Sequence, residues 1–200
     1  MMQYKDIAEK IIDLKNADLA LRDKLINEGK LGDGYNEEMK ILHNKNAQIL
    51  DKIMNIIGYP TAEKVGKEAS DATWLIIQHS IEQPEFMKRS AELLKTAVKN
   101  NKADPRNLAY LTDRIAVFQD QPQRYGTQFD WDENGNLSPH TVDDAIKVNK
   151  RRKSIGLNTL EEQTEVIRIQ ALREKQSPPT DLEKRKREME EWKKSVGWTK

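Results

Sequence analysis

Two groups of residues in this chain have the types and spacing that chemistry asks for. On "LAYLTDRIAVFQ", Tyr110, Asp113 and Arg114 fall at i, i+3 and i+4 and so share one helix face. A phenol and a guanidinium beside a carboxylate make an anion-binding pair with an orienting group. A few residues on, "QPQRYGTQF" packs Gln121, Gln123, Arg124, Tyr125, Thr127 and Gln128 around Gly126, a residue that lets backbone approach closely. The second group is made of polar residues on apolar stripes: Asp18, Asn46 and His79. A buried carboxylate or amide must be paired, since leaving one unsatisfied costs about 1–3 kcal/mol.

Each polar residue also has a purely structural reading. Asp18 would bind Arg22 one turn on, Asn46 would fix helix register, and His79 would be a satisfied core histidine. For Asp113 and Arg114 the structural reading is bonding to neighbouring helices. His79 has no partner at metal-ligand spacing, and His43 and His140 sit elsewhere in the sequence without an H-x-x-x-H pattern. No metal and no cofactor is expected. "DWDENGN" matches only the first half of a calcium loop, and a hairpin turn accounts for it better.

The elements that must position these residues are helical. Ile7, Ile11, Leu14, Leu21 and Leu25 recur at three- and four-residue steps and predict a helix over 2–28. A second helix spans about 36–57, with its stripe at Met39, Leu42, Asn46, Ile49, Ile53 and Ile56, and ends at Gly58 before Pro60. Thr61 caps a third helix, with Lys64 where a Glu would complete a capping box; it ends in "DATWLIIQHSI", the best candidate for a buried central element. Pro84 opens a fourth helix and "LAYLTDRIAVFQ" is a fifth. Then Asn-Gly between two short extended runs predicts a hairpin, with Pro139 confining its second strand to an edge. Further helices are expected over 142–152, 160–175 and 181–195. The fold class is all-α: a helical bundle with one small hairpin after the fifth helix and a C-terminal helical extension. The expected organisation is a helical domain over 1–158 and a charged extension over 159–200 that packs by Trp192 and little else.

With 200 residues, 34 Lys plus Arg against 33 Asp plus Glu, and a formal net charge of +1, the chain is not a dedicated polyanion binder, and nucleic acid is not expected as a partner. No cysteine is present, which excludes thiolate catalysis and disulfides. No membrane-spanning apolar run appears, so a cytoplasmic protein is the default.

The runs "GYPT", "ASDATWLIIQHS", "LAYLTDRI", "PQRYGTQF" and "RRKSIGL" resemble an uncharacterised bacterial family, a domain of unknown function, over roughly 7–160. The resemblance implies Asn46, His79, Asp113, Arg114, Gln123, Tyr125, Gly126, Thr127 and Gln128 as signature positions, with Asp18 beside them. It implies no activity, substrate or cofactor.

Two functions from different classes follow. In the first, an enzyme, His79 is general acid or base, Asp113 or Asp18 orients it, and Arg114 and Arg124 hold an anionic group. Tyr125, Thr127 and Gln128 orient the substrate, with Asp18, Asn46, Tyr110 and Gln123 among its contacts. The leading chemistry is metal-independent hydrolysis or lysis of a phosphorylated or nucleotide-like small molecule. In the second, the same polar groups capture a small molecule or peptide terminus without chemistry. A homodimer or protein partner docking on the C-terminal helices is a third, blander possibility.

Overall fold

The computed structural model describes residues 4–30 and 35–200. Among these are eight helices and one two-stranded antiparallel hairpin, so the all-α expectation holds. The chain divides into two compact units, 1–104 and 105–200.

The first unit contains α1 (Tyr4–Asn27), α2 (Glu37–Ile57), α3 (Ala62–His79) and α4 (Pro84–Lys99). Helix α1 packs chiefly against α3, and α2 touches both. Ile7, Ile11, Leu14 and Leu25 line the buried stripe of α1, and Asp18 continues it at the same spacing. The stripe of α2 is rotated from the one expected: Met39, His43, Asn46, Leu50 and Ile53 are buried, while Ile56 is exposed. Ala69, Ala72, Ile76 and Ile77 of α3 close the core. Thr61 occupies the cap position of α3 but its side chain makes no capping bond. Lys64 serves the helix before it instead, donating to the carbonyls of Ile57 and Tyr59 at the end of α2. Gly66, at φ 80°, breaks α3 near its start, a backbone conformation that favours glycine.

The second unit contains α5 (Pro105–Phe118), β1 (Phe129–Trp131), β2 (Leu137–Pro139), α6 (Val148–Ser154), α7 (Leu160–Arg173) and α8 (Leu182–Val196). In the hairpin Phe129 pairs with Pro139 and Trp131 with Leu137. The Asp132 carboxylate accepts from Asn134 N, Asn136 N and Ser138 Oγ, which fastens the turn. The helix expected over 142–152 begins only at Val148, because Asp144 accepts from Ile146 N and Lys147 N and holds a turn ahead of it.

The boundary expected after residue 158 falls inside this unit. Arg168 of α7 donates to Leu137 O at 2.9 Å, and Arg185 of α8 bonds Asp130 at 2.7 Å. Helix α8 also packs by more than Trp192: Lys193 bonds Asp120 at 2.5 Å, and Trp192 and Trp198 both meet Phe118. Trp198 is itself buried. Charged residues dominate α8, but several find partners on the unit instead of facing solvent.

Candidate functional site

Three helices of the first unit deliver one polar side chain each to a common point. Asp18 comes from the middle of α1, His43 from the second turn of α2, and His79 from the last position of α3. Asp18 Oδ2 lies 2.7 Å from His79 Nδ1 and 3.2 Å from His43 Nε2. The first contact is a hydrogen bond; the second is close enough for charge attraction but is not aligned as one. The two imidazoles lie 4.9 Å apart, centroid to centroid. Asp18 is fully buried, whereas the His79 side chain keeps 28% of its surface exposed.

Burial is the largest single influence on the Asp18 carboxyl and raises its pKa. The two imidazoles act the other way and together hold it well below the usual carboxylate range. Asp18 is therefore a carboxylate, and it does not use Arg22. Its other oxygen, Oδ1, is buried without a hydrogen-bond partner.

Neighbouring groups orient this centre. Tyr35 Oη sits 2.6 Å from His43 Nδ1, and burial, followed by the charges of Glu82 and Asp18, raises the phenol pKa above its ordinary value. Tyr35 thus stays protonated and bonds the far side of the His43 ring. Glu82, little exposed, accepts from Asn44 Nδ2 at 3.0 Å, and Asn44 Oδ1 accepts from Gln83 Nε2. Asn46 Nδ2 donates to Leu14 O at 3.1 Å, which pins α2 to α1 one turn before Asp18. This bond between two helices is of the kind its structural reading calls for.

The sequence expectation that His43 lies apart from His79 is corrected here. Both histidines approach the same carboxylate oxygen, though the chain separates them by 36 positions. Spacing within one helix could not show this, because each ligand-type group comes from a different helix. The available signal was the α2 stripe: His43 stands four residues after Met39 and three before Asn46, at helical spacing, but Leu42 drew the stripe to the wrong side.

In the second unit, "QPQRYGTQF" is a loop tied down from within. Asp113, almost fully buried, accepts from Arg124 N at 2.9 Å, Tyr125 N at 3.2 Å, Thr127 N at 3.0 Å and Thr127 Oγ1 at 3.1 Å. Both of its oxygens are engaged by the loop. Burial raises its pKa despite the bonds from Thr127, Arg124 and Tyr125 that favour its charge. Gln123, with no exposed surface, donates to the carbonyls of Gln128 and His140 and accepts from Gln128 N at 2.7 Å. Gly126 has φ +62°, and a Cβ there would come within 2.7 Å of Leu160 Cδ1.

Arg152, which sequence reading passed over, donates to Tyr125 O at 2.7 Å and to Asn158 O at 2.6 Å. It is 1% exposed, and only the "RRKSIGL" run pointed to it. Arg114 Nε donates to Gln128 Oε1 at 3.1 Å, and burial lowers the guanidinium pKa, which still leaves it charged. Gln128 Nε2 in turn bonds Thr127 Oγ1. Tyr110 and Tyr125 are half-buried, and the Arg124 side chain is exposed. Of the residues expected at the site here, Asp113, for catalysis, and Gln123 and Thr127, for substrate, spend their polar atoms on the loop.

A family model of unknown function matches residues 5–173, which covers the three helices of the first centre and the whole tied loop. The chain belongs to DUF6624. The match runs past residue 160 through α7, so within the family region α7 accompanies the hairpin, while α8 lies beyond it. No curated protein and no solved structure matches the chain. The function of the family is unknown. Among the described residues no helix is long and apolar enough to cross a membrane.

Proposed function

We propose that this member of DUF6624 is an enzyme that hydrolyses or lyses a small polar, anionic molecule by proton transfer at His79. One observation carries the reading: a fully buried carboxylate bonded at 2.7 Å to Nδ1 of a partly exposed imidazole. A carboxylate on Nδ1 fixes the tautomer that leaves the Nε2 lone pair as a base, and it stabilises the imidazolium formed when that base takes a proton. His79 also ends α3, where the negative end of the helix dipole favours positive charge on the ring.

Water or a group on the substrate is the proposed attacking species. Phosphorylated or nucleotide-like molecules are the proposed substrate class. Arg114, desolvated and bonded to Gln128, is proposed separately as an anion-binding residue of the second unit itself. The even charge balance and the absence of cysteine suit a cytoplasmic setting.

A second reading, non-catalytic capture of a polar molecule, draws support from Arg124 and Tyr125 of the tied loop, whose side chains keep exposed surface. Turnover separates the two. The purified chain in excess chelator would be assayed against phosphate monoesters, diesters and nucleotides, beside His79→Gln. The enzyme reading expects turnover that His79→Gln lowers by about 100-fold or more. A folded wild-type chain that binds one of these molecules without converting it supports capture instead.

A further inference from the structure

We infer that the meeting point of Asp18, His43 and His79 is also a site for a divalent transition-metal ion such as zinc. This rests on the same centre as the proposed function but not on its chemistry. Three ligand-type atoms converge there, Asp18 Oδ2, His43 Nε2 and His79 Nδ1, all within 4.8 Å of one another. Two imidazoles and one carboxylate, with further positions left for water or substrate, are a common donor set for such an ion.

Both spacings to the carboxylate suit the ion. Bonds of about 2.0–2.2 Å to nitrogen and oxygen place tetrahedral ligands roughly 3.3 Å apart. His43 Nε2 stands 3.2 Å from Asp18 Oδ2, and the His79 contact at 2.7 Å needs to open by only a few tenths of an ångström. The His43 contact is longer and less well aligned than the His79 bond, which leaves room for a cation between the two groups. Asp18 Oδ1, buried and without a hydrogen-bond partner, offers a second oxygen to the same ion.

The outer contact points the same way. Histidine ligands usually hand their other ring nitrogen to an oxygen, which fixes the tautomer and ring direction. His43 does this through Nδ1, 2.6 Å from Tyr35 Oη. With Nδ1–H donating to the phenol oxygen, the Nε2 lone pair faces Asp18 and His79. Ligation at His79 Nδ1 and the Nδ1–H tautomer needed for Nε2 to act as a base exclude each other. The metal-loaded and the acid–base forms are therefore alternative states of one centre.

The test uses the full chain, stripped with chelator, titrated with Co2+ by visible absorption and with Zn2+ against a chromophoric chelator. The wild type is expected to bind one ion, with a Co2+ spectrum of low coordination number. His43→Gln and Asp18→Asn should each weaken binding by more than about 100-fold, and Tyr35→Phe by about 10–100-fold, the usual effect of losing an outer-shell partner. His140→Gln, outside the centre, should bind as wild type. Should Asp18→Asn fail to fold, His43→Gln and Tyr35→Phe carry the test. No saturable binding by wild type, or undiminished binding by folded His43→Gln, overturns the site. Chelator-resistant turnover that His79→Gln abolishes, without Co2+ binding, would sink the metal site alone. One-ion binding with turnover indifferent to His79→Gln would sink the acid–base reading alone.

Discussion

Asp18 Oδ2 and His79 Nδ1 lie 2.7 Å apart although 61 positions separate the residues in the chain. Helix α1 supplies the carboxylate on its buried stripe, and α3 ends where its last side chain reaches it. The pair joins the two helices that pack most extensively in the first unit. Asp18→Ala removes the anion and leaves two imidazoles facing each other. Denaturant melts should show a loss of about 2–4 kcal/mol, toward the lower end because His79 is partly solvated. A change under about 0.5 kcal/mol would show that the pair is not a buried electrostatic contact.

Asn46→Ala should act on position, not on chemistry. It deletes the bond to Leu14 O that ties α2 to α1 and should cost about 1 kcal/mol by chemical denaturation. If Asn46→Ala is as stable as wild type, the amide is not the clamp between α1 and α2.

The tied loop of the second unit makes a separate prediction. Asp113→Ala leaves the N–H groups of Arg124, Tyr125 and Thr127 without their acceptor and should cost about 3 kcal/mol or more. Gly126→Ala adds a Cβ at φ +62° against Leu160 and should cost about 1–3 kcal/mol through strain. Equal melting temperatures for Gly126→Ala and wild type would contradict the close approach of loop and α7.

The stability of the second unit should depend on His140. Burial, its largest influence, lowers the imidazole pKa below 6.5; Asp130 opposes this, and Lys193 and Arg185 add to it. The unfolded state then binds a proton that the folded state refuses, so stability falls as pH drops through about 6.5 and levels off below the folded pKa. His140→Gln should flatten the stability profile in that window. An unchanged slope would show that another group carries it.

The helix order, the hairpin and the buried polar positions Asp18 and Asn46 were legible in the sequence, because periodicity and turn chemistry are local signals. His43 was not. Its apolar neighbour Leu42 fits an equally regular stripe, and a shift of one residue turns a helix face by about 100°. The role of Asp113 was also hidden: its spacing from Arg114 suggests a pair, yet the loop eleven to fourteen residues on claims both oxygens. The packing of α8 was masked by its charges, since Arg185 and Lys193 read as solvated until their partners Asp130 and Asp120 are seen beside them.

The claim that Asp18 sets the chemistry of His79 can be read without any substrate, from long-range proton–nitrogen correlation spectra of the histidine rings in the metal-free chain. The expected result is a neutral-form His79 with a protonated Nδ1 and a bare Nε2, a pattern that Asp18→Asn removes. A His79 that carries its proton on Nε2, or whose ring nitrogens are indifferent to Asp18→Asn, would contradict it.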